Sequence, residues 1–158
     1  MLVKDKNINY LFWDIGVTDN HNTNWEYVAN RVTRTFTADG SASVLTMATG
    51  QTWGYAWVNS TNYRFNLPLV IEYNLVEIVD SPRIRFLCDT SSYAYILSNY
   101  GTGHHKWIIT DSTISLTVNG QSKNVQLAYT RDNGLGIYWE FDSDTDGLTY
   151  KNFIVYYL

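Results

Sequence analysis

Apolar residues at every second position, broken by turn residues, constrain this chain more than any other feature of its sequence. Over 104–120 it reads HHKWIITDSTISLTVNG: Trp107 and Ile109 alternate with Lys106, Ile108 and Thr110, a turn follows at Asp111-Ser112, and Ile114, Leu116 and Val118 alternate with Ser115 and Thr117. A helix would scatter this pattern around its circumference, whereas a strand sends alternate side chains to opposite faces. The segment is predicted to be two antiparallel strands, with Asn119-Gly120 able to take the positive φ angles of a tight hairpin turn. Strand-like runs recur over 31–37, 43–49, 53–58, 67–79, 84–89, 93–98, 106–110, 114–119, 125–129, 137–141 and 153–157, separated by Gly, Asn, Asp and Ser. Such spacing is the signature of a β-sandwich. The 13 Tyr, 6 Trp and 6 Phe favour strands as well, and no window sustains a 3.6-residue apolar repeat over three turns. Residues 14–27 form the longest polar segment and are expected to be a surface loop.

A chain of 158 residues fits one domain with a two-layer core, and no repeat, linker or low-complexity tract divides 1–158. The formal charge of −4 and the lack of any Lys/Arg cluster argue against a nucleic-acid surface or an anionic membrane as partner. No stretch approaches the ~18 apolar residues of a membrane span, and residues 1–10 lack the apolar core of a signal peptide. Cys88 is the single cysteine, so no internal disulfide can form, and its setting in Ile84-Arg85-Phe86-Leu87-Cys88 suits a small buried hydrophobe. The expectation is a domain of a larger secreted protein or a particle component exposed after lysis, located outside the cell or on a virion surface.

The hairpin resembles the "W-H-x-Y-x-I … G-x-I-x-L-Y-V-D-G" hairpin of concanavalin A-like lectin/glucanase and laminin-G-like sandwiches, with His105, Trp107, Ile109, Ile114, Leu116, Val118 and Gly120 on matching positions. Residues 65–74, FNLPLVIEYN, resemble the long central strand of that family, and residues 148–156, LTYKNFIVY, its closing strand. The resemblance implies an all-β, two-sheet antiparallel jelly-roll β-sandwich, concanavalin A-like. Its implied use is non-catalytic, lectin-like recognition of a glycan or cell-surface polysaccharide, as in the host-recognition part of a phage or viral tail or spike protein, or in an adhesin. Assembly as a homo-oligomer through a parent protein fits that use. A glycoside hydrolase of the same fold and a purely structural virion domain are the alternatives.

Two segments carry the ligand-binding expectation. In Trp53-Gly54-Tyr55-Ala56-Trp57 the residues two apart share a face, so Trp53, Tyr55 and Trp57 make one aromatic row stepping by about 6.6 to 6.8 Å. Aromatic faces at that spacing can stack on successive sugar rings. The other packing turns all three rings into the core, since large aromatics are mostly buried. The second segment joins Tyr93, Tyr95, Asn99, Tyr100 and His104, which offer donors and acceptors beside stacking surfaces. Its alternative packs Tyr93 and Tyr95 inward with Leu97.

The metal expectation falls on Asp142, Asp144 and Asp146, where D-x-D-x-D-G matches the first half of a calcium loop. Phe153 at the twelfth position excludes an EF-hand, so a structural calcium ion stands against a solvated acidic turn, and no cofactor is required. Adjacent His104 and His105 point apart on a strand and have no third ligand near them in sequence. Some glucanases of the resembled fold carry E-x-D-x-x-E on a bulged strand. Glu72 and Glu77 match its ends, but Asn74 replaces the helper carboxylate that keeps the two pKa values apart, and no catalytic residue is assigned.

Overall fold

The computed structural model describes residues 9–88, 91–125 and 134–158. In chain order the strands are β1 (Tyr10–Asp14), β2 (Trp25–Tyr27), β3 (Val32–Phe36), β4 (Ser43–Met47), β5 (Gly54–Val58), β6 (Leu69–Val79) and β7 (Arg83–Leu87). They continue with β8 (Ser92–Ile96), β9 (Gly103–Ile109), β10 (Ile114–Val118), β11 (Gln121–Lys123), β12 (Gly136–Phe141) and β13 (Gly147–Tyr157). Among the described residues the only helical pieces are 3₁₀ turns at Val28–Asn30 and Leu97–Asn99. The strand expected over 125–129 lies outside the described residues except for Val125.

Every pairing is antiparallel, and the strands form two sheets. The larger, eight-stranded sheet runs β11-β10-β9-β6-β13-β4-β3, with β1 added to the C-terminal half of β13; the five-stranded sheet runs β2-β5-β12-β7-β8. The hairpin read from the sequence is present: Ile109 faces Ile114, Trp107 faces Leu116 and His105 faces Val118. Asn119 and Gly120 take φ of 51° and 78° and turn the chain into β11, as a tight turn with two left-handed residues requires.

The two sheets enclose an apolar core in which Trp107, Trp139, Tyr73, Tyr150, Phe86, Phe141 and Phe153 are fully buried. Alternation explains how β6 and β12 fill it. Leu69, Ile71, Tyr73 and Leu75 point inward from one sheet, and Ile137, Trp139 and Phe141 point inward from the other. The Trp107 Nε1–H donates to the Tyr73 hydroxyl at 2.8 Å, so the indole and the phenol satisfy each other inside the core. Tyr73 is held neutral far above its ordinary pKa, chiefly by burial. Cys88 lies in the same core.

The polar segment 14–27 is not merely a loop, because its ends enter the two sheets. Asp14 closes β1 with no exposed surface, and Trp25 opens β2. The Asp14 carboxylate accepts the Trp25 Nε1–H at 2.7 Å, the Tyr150 hydroxyl at 2.7 Å, the Asn22 backbone N–H at 3.1 Å and the Arg34 Nη2 at 2.8 and 3.0 Å. Burial works against the Arg34 charge, but the Tyr150 oxygen and Asp14 more than offset it and raise its pKa. Replacing Asp14 with Asn leaves a buried guanidinium without its counter-charge and should cost about 3 to 5 kcal/mol. Tyr150→Phe, which removes one hydrogen bond, should cost only about 1 kcal/mol. Urea unfolding midpoints of the two variants, read beside the wild type, check that order.

Candidate functional site

The outward face of the five-stranded sheet gathers the aromatic row with charged residues. On β5 the small residues point inward: Ala56 and Val58 belong to the core, and a Cβ on Gly54 would stand 2.6 Å from Met47 Sδ and 2.9 Å from Val32 Cγ2. A side chain at 54 would therefore have to displace Met47 and Val32 across the sheets. With that parity fixed, Trp53, Tyr55 and Trp57 all face away from the core. Their exposure falls along the row, from 37% at Trp53 through half-buried Tyr55 to 7% at Trp57.

Neighbouring strands complete the face. Tyr138 on β12 lies opposite Trp57 and stacks on it with ring centroids 3.9 Å apart, while its edge meets Tyr55 at 5.3 Å. Trp53 packs on Tyr55 at 5.3 Å. Two guanidiniums cap this line of rings: Arg31 lies 3.8 Å over Trp53, and Arg64 lies 5.8 Å from the Trp57 ring. Beside the rings, Arg85 Nε and Nη2 donate to both oxygens of Glu140 at 2.8 and 3.0 Å, and its Nη1 donates to Ser92 Oγ at 2.7 Å. Arg83 bridges to Asp142. Burial pushes the Tyr138 hydroxyl up to about 12, so it stays a hydrogen-bond donor at neutral pH. Such a face joins apolar ring surface to a fixed array of donors and acceptors, a combination suited to polar organic ligands.

Tyr138, Arg85, Glu140 and the capping arginines were not singled out from the sequence. Alternation did carry part of the signal, since Tyr138 and Glu140 share parity against Ile137, Trp139 and Phe141, and Arg83 and Arg85 share parity against Ile84 and Phe86. What it could not show is that β5, β12 and β7 are neighbours.

Of the second expected cluster, Tyr93, Tyr95 and Tyr100 are brought together but pack on the core, while His104 stands apart. Tyr95 is buried against Phe86 and Trp107, and Tyr93 and Tyr100 pack on the same core, because Ser92 and Ala94 take the outward positions of β8. Asn99 is exposed in its 3₁₀ turn. His104 lies on the outward face of the other sheet, 2.8 Å from Glu72, while His105 points inward and meets the Gly101 carbonyl at 2.7 Å. Glu72 also accepts the Tyr156 hydroxyl and lies 3.4 Å from Lys106. Burial alone would raise its pKa, but Tyr156, Lys106 and His104 together hold it below the ordinary carboxylate value.

A register shift opposite Val76 turns Glu77 outward, to the same side as Glu72. Five residues of strand still separate the two, roughly 15 Å, whereas a retaining glycosidase needs its carboxyl groups about 5 to 5.5 Å apart and an inverting one about 6.5 to 9.5 Å. The acidic loop is occupied by its own chain. Asp146 is buried and accepts the backbone N–H groups of Ser81, Asp142 and Ser143 at 2.9, 2.9 and 3.2 Å. Asp144 accepts the Gly50 N–H at 2.8 Å, and Asp142 is paired with Arg83. Among the described residues no three His, Cys, Asp or Glu side chains are grouped to hold a metal ion.

Neither a protein-family model nor a curated protein sequence matches the chain. Solved structures do. A Bacillus subtilis protein of unknown function with a galectin-like fold superposes with a TM-score of 0.60 at 10% identity, over 93% of this chain and 95% of that one. A conserved carbohydrate esterase of the Shiga toxin-encoding bacteriophage phi24B gives a TM-score of 0.56 at 8% identity, over 94% of this chain and 98% of that one. A family 29 carbohydrate-binding module reaches 0.47 at 11% identity, over 94% of this chain and 91% of that one. The first two establish the fold: a lectin-like, two-sheet antiparallel β-sandwich.

Two outcomes follow from this geometry. Trp57→Ala should destabilise the protein by about 3 kcal/mol, because the ring is enclosed by Tyr138 and Arg64 although it lies outside the inter-sheet core. Trp53→Ala, at the open end of the row, should leave the melting temperature nearly unchanged. Because each carboxylate of the acidic loop already has a partner, millimolar calcium should not raise the melting temperature of previously chelated protein, as any preferential binding to the native state would.

Proposed function

We propose that the outward face of the five-stranded sheet binds a glycan without cleaving it. The carrying observation is the accessible Trp53–Tyr55 ring pair beside the Arg85–Glu140 pair. Sugar C–H faces can lie on the two rings, and hydroxyl groups can exchange hydrogen bonds with a guanidinium and a carboxylate that hold each other in place. Mutual fixation lowers the ordering cost of binding. Cleavage has no support in the geometry: Glu72 and Glu77 stand too far apart, and a carboxyl group with a lowered pKa is a poor general acid at neutral pH.

Concanavalin A-like kinship and a place on an extracellular or virion surface, as the host-recognition part of a tail, spike or adhesin, belong to the same proposal. What supports them is the sequence resemblance and the occurrence of this fold in a phage protein described as a carbohydrate esterase. A glycan array followed by titration calorimetry tests the reading. Trp53→Ala and Tyr55→Ala should each weaken the best ligand by about tenfold, with melting temperatures close to wild type. Retention of no glycan overturns the proposal, and so does release of reducing ends that Glu72→Gln abolishes.

A further inference from the structure

The charges on this face are distributed unlike those of the chain as a whole. The protein carries a formal charge of −4, yet Arg31, Arg64, Arg83 and Arg85 stand on or around the face against the carboxylates of Glu26, Glu140 and Asp142. Two of those carboxylates are neutralised by ion pairs, and the third is held by a backbone N–H. Glu140 and Asp142 pair with Arg85 and Arg83, and Glu26 accepts the Thr61 backbone N–H at 2.8 Å. Arg31 and Arg64 are left without a carboxylate partner among the described residues.

These two guanidiniums occupy opposite ends of one line, Arg31–Trp53–Tyr55–Tyr138–Trp57–Arg64. Arg64 is also incompletely bonded. Its Nη1 donates to the Thr61 and Tyr63 carbonyls at 2.8 and 3.0 Å, but Nε is buried without an acceptor, as is the neighbouring Trp57 Nε1. A buried donor left unmade is unfavourable, and a small movement of the Arg64 side chain toward an external carboxylate would supply its acceptor. Guanidinium nitrogens match carboxylate geometry and make charge-assisted hydrogen bonds with it.

We propose that the ligand of this face is a polysaccharide bearing carboxylates, a uronate polymer, with a sugar ring lying on Trp53 and Tyr55 and carboxylates meeting Arg31 and Arg64. This rests on the reading of the face as a glycan-binding surface. A polymer is invoked because the free cations sit at the two ends of the line, with the mutually buried Trp57 and Tyr138 between Arg64 and the accessible rings, and repeated charge along a chain can meet both.

Affinity electrophoresis and calorimetry of the whole protein against four probes test it: polygalacturonate, alginate, dextran sulfate and neutral glucomannan. Polygalacturonate or alginate should bind most tightly, with affinity falling as salt rises. Arg31→Gln and Arg64→Gln should each weaken that binding about tenfold or more, and Arg64→Lys, which keeps the charge but loses the planar fork, should restore only part of it. The Arg31 guanidinium lies over the exposed Trp53 ring and makes no ion pair among the described residues, so its variant separates binding from folding if Arg64→Gln is unstable. Tight glucomannan binding that depends on Trp53 but not on either arginine overturns the uronate assignment and leaves the glycan-binding face intact. Dextran sulfate bound in preference to the uronates overturns it as well. Binding of no probe overturns the uronate assignment, and the glycan array decides the glycan-binding face separately.

Discussion

Asp14 is the point from which both sheets of this protein are set. Its carboxylate is buried and reaches four elements: β1, on which it sits, β2 through the Trp25 indole, β3 through Arg34 and β13 through the Tyr150 hydroxyl. Three of those strands belong to the eight-stranded sheet and β2 belongs to the other. A charge removed from water is tolerated only where its partners replace hydration nearly completely, and here indole, phenol, guanidinium and backbone N–H do so together. Because β2 pairs with β5 through Trp25, Glu26 and Tyr27, the same carboxylate fixes the edge of the sheet that carries the aromatic row. Ser43 extends the arrangement by accepting from Arg34 and donating to the Gly16 carbonyl at 2.8 Å.

The two outward faces have diverged from this common frame. On the eight-stranded sheet Glu72 gathers His104, Lys106 and Tyr156, a cluster whose charges and hydrogen bonds are turned on one another. On the five-stranded sheet the polar groups flank exposed Trp53 and half-buried Tyr55, and among the described residues two guanidiniums face no carboxylate. The contrast arises from residue size on β5. Gly54 and Ala56 take the inward positions, so close packing between the sheets pushes every large ring of that strand to the outside.

The all-β class, the long β6, the C-terminal half of β13 and the hairpin of β9 and β10 were legible, because period-two alternation is a local property of the chain. Legibility failed where side chains answer to distant partners. Polar 14–27 reads as loop since nothing local reveals that Asp14 and Trp25 are joined to Arg34 and Tyr150. The D-x-D-x-D-G run leaves a calcium loop and a solvated acidic turn both open, since nothing local reveals that Asp144 and Asp146 accept the N–H groups of Gly50, Ser81, Asp142 and Ser143 while Asp142 pairs with Arg83. Tyr93, Tyr95 and Tyr100 read as a binding cluster because exposure cannot be inferred from residue type alone.

The sequence by itself determined that this is an all-β domain, which residues of each strand share a face, and that rings two apart on β5 form a row. Only the tertiary structure decided which face is outside and which strands are adjacent. The hydrophobic effect rewards burial of either face, and the choice between them rests on steric fit across the sheets, where Gly54 meets Met47 and Val32. Tyr138 joins the row from a strand more than eighty residues away in the chain, and that neighbourhood is created by backbone pairing between β5 and β12.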